Sequence, residues 1–243
     1  KGCYKFNLLD SLPDDLRSAG IVRTPNVPAG SSFQTGWNVL VTGAGQLIGI
    51  GSGAARGMAE YFGAKRVILG YGRQVSQVVV DSIAERGAEV FPVSMDLSKP
   101  GNVPTIVEEV RKCLFGESLD MVIHVAGVTD TRPLAQLQAE DLSRSATINA
   151  ITPLLLARDL RPLMAEQSSQ LFVGTNHQRA TGSIFGLYAP AKCMLEGGMR
   201  VLAAEVAPHQ LVNMLIVNWA LSERQIQGHK NRLFNLVDEA RKN

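Results

Sequence analysis

The sequence predicts a doubly wound α/β fold, a parallel sheet with helices on both faces in three layers. Three observations predict it. Short apolar runs rich in valine, isoleucine and leucine recur between residues 37 and 217, as strands buried on both faces require. Segments with helical spacing separate these runs. A glycine-rich turn follows the first run directly.

In chain order, residues 1–36 read as an N-terminal arm. Their Pro, Asn, Asp, Gly and Ser clusters are breaker signals without sustained periodicity, with at most a short helix over 13–19 where Pro13 suits a first turn. Residues 37–243 read as one domain. Its first run, Trp37-Asn38-Val39-Leu40-Val41, leads into Thr42-Gly43-Ala44-Gly45-Gln46-Leu47-Ile48-Gly49-Ile50-Gly51 and a helix-compatible segment. A strand, a glycine turn and a helix in that order can seat a dinucleotide pyrophosphate on the helix N-terminus, because glycines let the backbone approach and free amides donate. Two registers are open, one counted from Thr42-Gly43 and one from Gly45-x-x-x-Gly49-x-Gly51.

Strands follow at 66–69, 90–94 and 120–126, with helical spacing at 74–86 and 103–114. A long helix covers 139–164, which Pro153 and Pro162 should kink or interrupt. The fifth strand is 170–174, the next helix 188–206 and the sixth strand 211–217. Beyond Arg224 nothing reads as a strand, and 231–242 reads as a final amphipathic helix.

Tyr188 and Lys192 stand four apart, hence on one helix face. A phenol with a pKa near 10 exchanges protons poorly at neutrality, and a neighbouring ammonium favours its ionised form. The pair is a candidate general acid/base; the plain alternative is two ordinary residues of an amphipathic helix.

Composition excludes several classes. Net charge is +2 with both signs interspersed, which gives no footprint for nucleic acid and no basic membrane patch. No apolar run approaches the roughly 18 residues of a membrane span. Cys3, Cys113 and Cys193 are odd in number and far apart, arguing for an intracellular, reducing compartment, cytoplasm or organelle matrix. Cys193 reads as a buried small apolar residue rather than a reactive thiol. The four histidines, His124, His177, His209 and His229, lack paired ligand spacing, so no metal site is expected. A start at Lys1 suggests a processed protein or a piece of a longer one.

Over residues 37–218 these motifs, in this order, resemble the short-chain dehydrogenase/reductase family with its Rossmann fold. Thr42-Gly43 through Gly49-Ile50-Gly51 is similar to the family's cofactor turn, and Asp96, with Leu97 beside it, to the aspartate after the third strand that contacts adenine. His124-Val125-Ala126-Gly127 occupies the place of the family's Asn-Asn-Ala-Gly. Asn149 is similar to the asparagine that holds a catalytic water, and Tyr188 and Lys192 complete the pattern. The resemblance implies hydride transfer from a nicotinamide to a carbonyl carbon, with Tyr188 as proton donor. Lys192 would lower the phenol's pKa and hold the nicotinamide ribose. A hydroxyl would polarise the carbonyl, and Thr175 stands where the family usually has a serine, Ser183 being the lesser candidate. At the end of the second strand, Leu69-Gly70-Tyr71-Gly72-Arg73 lacks the acid of NAD users, and Arg73 could pair with a 2′-phosphate, so NADP is expected. A solvated loop arginine is the alternative. By analogy a homo-oligomer or a place in a multidomain assembly is expected.

A narrower resemblance runs through residues 30–43, Thr175-Asn176-His177 and Gly186-Leu187-Tyr188. It is to the ketoacyl-reductase domain of fungal-type fatty-acid synthases, and it implies a carrier-bound β-ketoacyl thioester and a place in fatty-acid synthesis. Departures from the family pattern keep a second function open. The cofactor turn is longer, His124 and Val125 replace the asparagine pair, no Pro-Gly follows the sixth strand, and the usual last strand is lacking. A degenerate reductase fold, kept as a structural or cofactor-sensing subunit, would fit those losses. The intact Asn149, Tyr188 and Lys192 favour the reductase.

Overall fold

The computed structural model describes residues 36–178 and 185–217. Residues 1–35 of the N-terminal arm, Ser183, the segment after the sixth strand and the helix expected at 231–242 lie outside the described residues. Strands β1 (Asn38–Thr42), β2 (Arg66–Tyr71), β3 (Glu89–Ser94), β4 (Leu119–His124), β5 (Met164–Thr175) and β6 (Gln210–Val217) form one sheet in the order β3-β2-β1-β4-β5-β6. Every pairing is parallel. The doubly wound fold is therefore as expected.

Helices α1 (Ile50–Phe62) and α2 (Gln77–Ala84) pack on one face. Of helices α3 (Val103–Leu114), α4 (Ala139–Ala146), α5 (Thr152–Leu160) and α6 (Tyr188–Val206), α3, α5 and α6 belong to the other cores and α4 buries only Ser145. β1 is buried at all five positions. Its alternate residues divide between the two sides: Val39 and Val41 join the α1 and α2 core, Leu40 the α3 and α5 core. That division is why the run lacks a polar face. No helix among the described residues is long and apolar enough to cross a membrane.

The long helix expected over 139–164 is divided. α4 passes into one π turn, Thr147–Ile151, before α5, and Arg161–Leu163 is a 3-10 turn. Pro153 explains the first break: it has no N–H to give the carbonyl of Asn149, four residues back, and the ladder opens there. Pro162 ends the second part, and β5 begins at Met164, six residues earlier than the apolar run at 170–174 suggests. Its polar first half, Glu166 to Ser169, hid it from an apolar pattern.

The strand order reverses between β1 and β4, and in such sheets the ligand crevice opens beyond the carboxyl ends at that point. Two side chains tie the strands there, where His124 and Val125 replace the asparagine pair. Thr42, buried, accepts the amides of Val125 and Ala126 at 3.0 and 3.1 Å. His124, buried and stacked on Phe172 at 4.3 Å, bonds through Nε2 to Gln170 Oε1 at 3.0 Å, and Gln170 donates to Ala157 O.

Burial pushes the His124 imidazole down to about 4; the Gln170 bond opposes this and the charge of Lys192 adds to it. Unfolded, the same ring titrates near 6.5. Between these values the unfolded chain holds a proton that the folded chain does not, so stability is lost as pH falls from 6.5 to 4, by about 3 kcal/mol in full. Thermal melting across that range is expected to show the loss, and His124→Asn to flatten it. Glu117, held down to about 2 by Lys65 and Arg66, acts in a lower window, from 4.5 down to 2.

Candidate active site

The glycine turn is built by close approach. Gly43 has φ +70°, and a Cβ there would lie 2.6 Å from Ala126 Cα; a side chain on Gly51 would meet Gly43 O at 2.4 Å. Crowding falls on glycines of both registers: Gly43, Gly45 and Gly51 are the crowded positions of the turn. Gly49 is the N-cap of α1 in extended backbone, with nothing nearer than 3.9 Å. Two residues without a sequence signal hold the turn. Arg56, buried, donates from Nη2 to Leu47 O at 2.8 Å, and Ser52 donates to Leu47 O and Gly49 O.

The fit of a dinucleotide follows from this turn. α1 begins with no side-chain cap and no acid in its first turn, so its leading amides, from Ile50 onward, suit an anion. Gly45 packs against Tyr71 and Gln74, and Ser76 N–H donates to Gly45 O at 2.9 Å. The loop after β2 thus lies on the turn, and Arg73 in it is exposed without a hydrogen bond or ion pair among the described residues. Asp96 follows β3, its carboxylate held low by Ser98. Leu97 buries its side chain in the core, leaving only its backbone for a ligand. The Thr42 hydroxyl oxygen accepts from Val125 and Ala126 and so also holds the turn against β4.

From Ala126 the contacts continue into the candidate catalytic group. A Cβ on Gly127 would meet Asn149 Oδ1 at 2.7 Å and Lys192 Nζ at 3.9 Å. Asn149, fully buried in the π turn, exchanges hydrogen bonds with the Val128 backbone and donates to Ser145 Oγ. Ser145 in turn donates to Leu187 O at 3.1 Å, which fixes the start of α6. Lys192 reaches across to donate to Val173 O at 2.9 Å, two residues before Thr175. Thr175 is buried, and Gln178 Oε1 accepts its backbone amide at 2.7 Å. Gln178, Ser145, Gln170 and Arg56 are supporting residues that carry no motif and were not legible in the sequence.

Tyr188 and Lys192 share one face as expected, with Nζ 5.7 Å from the phenol ring centroid. The electrostatics differ from expectation. Burial pushes the Tyr188 phenol up, and it pushes the Lys192 ammonium down to about 8. The ammonium is bonded to the Val173 carbonyl, and the phenol's own burial favours its protonated form. Cys193 is exposed, not buried, because the next helical position after Lys192 turns outward. An open cavity of about 440 Å³, lined by Ser98, Ala139, Glu140, Ser143, Arg144 and Thr147, lies beside the Asp96 loop and shares no residue with the Tyr188 cluster.

A family model described as enoyl-(acyl carrier protein) reductase matches residues 43–230. The hydroxynaphthalene reductase-like protein Arp2 of Metarhizium robertsii is 29% identical over 189 residues, covering 74% of this chain and 66% of that protein. The chain spans slightly less than two thirds of the length of such curated relatives. Among solved structures, a short-chain dehydrogenase of Shigella flexneri 2a str. 301 in complex with NADP is 27% identical, with a TM-score of 0.69 over 76% of this chain and 78% of that one. The reductase LugOII, which catalyses keto-reduction at C1 during lugdunomycin biosynthesis, is 28% identical with a TM-score of 0.68 over 75% and 74% of the two chains.

Proposed function

The chain belongs to the short-chain dehydrogenase/reductase family, and from that membership we propose that it reduces a ketone with NADPH, Tyr188 giving the proton. The observation that carries this reading is the unbroken line of contacts from the Arg73 loop through Gly45, Gly43, Ala126 and Gly127 to Asn149 and Lys192. Lys192 Nζ in turn lies 5.7 Å from the Tyr188 ring centroid, so the line runs from the glycine turn to the phenol.

Gly43, Gly45, Gly49, Ile50 and Gly51 hold the pyrophosphate. Asp96 and the backbone of Leu97 take the adenine end, and Ala126 and Gly127 border the nicotinamide side. NADPH, when bound, supplies the hydride. Tyr188 protonates the carbonyl oxygen while the Thr175 hydroxyl donates a hydrogen bond to it. Lys192 keeps its charge below about pH 8 and orients the ribose. Asn149, whose carbonyl Pro153 deprives of its helical donor, supports proton resupply to the phenol.

Arg73 binds the 2′-phosphate in this reading. A charge-assisted bond contributes about 1.5–3 kcal/mol. Arg73→Ser is therefore expected to weaken NADPH by about tenfold or more in a fluorescence titration and to leave NADH unchanged.

For the substrate, the name of the Metarhizium relative points to a hydroxylated bicyclic ring ketone. A β-ketoacyl thioester is the second reading, favoured by the acyl-carrier description of the matching family model. NADPH oxidation followed by absorbance, with 1-tetralone and an acetoacetyl thioester, tests both. Turnover of either supports the reductase. Tight NADPH binding with no turnover of any ketone favours the cofactor-sensing subunit.

A further inference from the structure

Two stacked rings flank the residues assigned to the carbonyl oxygen in the chain, one two positions after Thr175 and one three positions before Tyr188. His177 and Phe185 stack with centroids 3.8 Å apart and 25° between their planes. Each is tied through its backbone to the segment that carries Thr175 or Tyr188. The His177 amide lies 3.4 Å from Thr175 Oγ1 and donates to it. The Phe185 carbonyl accepts the Ala189 amide at 3.2 Å, in the turn that carries Tyr188. Both rings are half-buried, so part of the stack remains open to a ligand. Packing alone would explain two rings in contact. It does not explain His177 Nδ1, which is buried with no hydrogen-bond partner among the described residues. A buried polar atom left unmade costs about 1–3 kcal/mol, and a ligand that supplies a hydrogen bond there offsets that cost.

We infer that His177 and Phe185 select the substrate: their stacked rings form a wall for a planar ring ketone, and His177 Nδ1 accepts a hydrogen bond from a hydroxyl on that ring. The inference rests on the carbonyl-reducing site proposed above and goes beyond it by naming what faces the ketone's body. An aromatic face laid on an aromatic wall contributes about 0.5–1.5 kcal/mol beyond its burial. A linear acyl thioester offers neither a ring nor a hydroxyl in that plane, so the same residues discriminate between the two substrate classes. The two parts of the device are separable, because the wall needs only a ring at 177 and the acceptor needs its nitrogen.

The test compares 1-tetralone, its 5-, 6- and 7-hydroxy derivatives and an acetoacetyl thioester in the NADPH oxidation assay. The proteins are the wild type, His177→Phe and Phe185→Leu. His177→Phe keeps the wall and removes the acceptor. It is expected to raise KM about tenfold for the hydroxytetralone bound best and to leave KM for 1-tetralone and the thioester within about twofold. Phe185→Leu is expected to raise KM about fivefold for every tetralone and to leave the thioester unchanged. Equal changes for all ketones, or no change for any, would overturn the inference. Turnover of the thioester alone by the wild type would overturn it while leaving carbonyl reduction standing. If the wild type reduces none of these ketones, both fail. NADPH affinity, measured on each variant by titration, should stay at the wild-type value; its loss together with equal KM changes marks a purely structural role for the two rings.

Discussion

Tyr188→Phe is expected to lower kcat about a thousandfold, within the range of 10² to 10⁴ that a positioned general acid contributes, while NADPH affinity stays near the wild-type value. The substitution removes one oxygen from a half-buried ring at the start of α6. It leaves the ring in contact with Lys192 and the hydrogen bond from Lys192 to Val173 intact. A fold defect is therefore not the cause of any loss, and unchanged melting will show it. If instead kcat falls less than tenfold, the proton comes from elsewhere.

The second large effect is on Lys192. Lys192→Met is expected to lower kcat/KM by about a hundredfold or more and to weaken NADPH, because it leaves the Val173 carbonyl without its donor and removes the only charge placed beside Asn149 and Gly127 among the described residues. A pH signature accompanies it. Burial pushes the ammonium down to about 8, whereas in the unfolded chain it titrates near 10.4. Below pH 8 both states carry the proton and the burial cost is constant. From 8 upward the folded state releases its proton first, so stability rises with pH, by up to about 3 kcal/mol in full. Tyr188, pushed up by burial, acts in the opposite sense above pH 10, so pH 8 to 10 is the range to read. Activity moves the other way and falls above pH 8 as the charge is lost. In Lys192→Met both the rise in stability and the alkaline fall in activity should vanish.

Much of this was legible in the sequence, for identifiable physical reasons. Strands of a doubly covered sheet are apolar throughout, so β1, β2 and β4 announce themselves within a residue or two. The glycine turn is legible because only glycine survives a Cβ approach of 2.6 Å to Ala126 or 2.4 Å to Gly43. The division of the long helix is legible in principle: Pro153 sits four residues after Asn149 and withholds the N–H that would close that turn. Its outcome as a π turn, rather than a kink, depends on packing that no local pattern encodes.

What remained hidden were contacts made across long stretches of chain. Arg56 looks like a surface arginine of an amphipathic helix until its guanidinium is found under Leu47 O. Nothing local shows that the Thr42 oxygen accepts from Val125 and Ala126, more than eighty residues on. His124 and Val125 read as losses, yet His124 with Gln170 and Thr42 with the 125–126 amides perform the same tying of strands through different atoms. The first half of β5 is polar because that part of the strand pairs near the sheet's end, where burial is incomplete. The electrostatic sense of the Tyr188 and Lys192 pair could not be read from a spacing of four, since it depends on the desolvation of both groups.

The account stands or falls on a single-turnover measurement, with protein in excess over NADPH and a saturating ring ketone, followed by the absorbance of the reduced nicotinamide. The account predicts complete oxidation of the bound NADPH in one exponential phase, slowed about a thousandfold in Tyr188→Phe. Bound NADPH that stays reduced with both 1-tetralone and the acetoacetyl thioester would contradict it, and would leave a cofactor-binding fold without the chemistry.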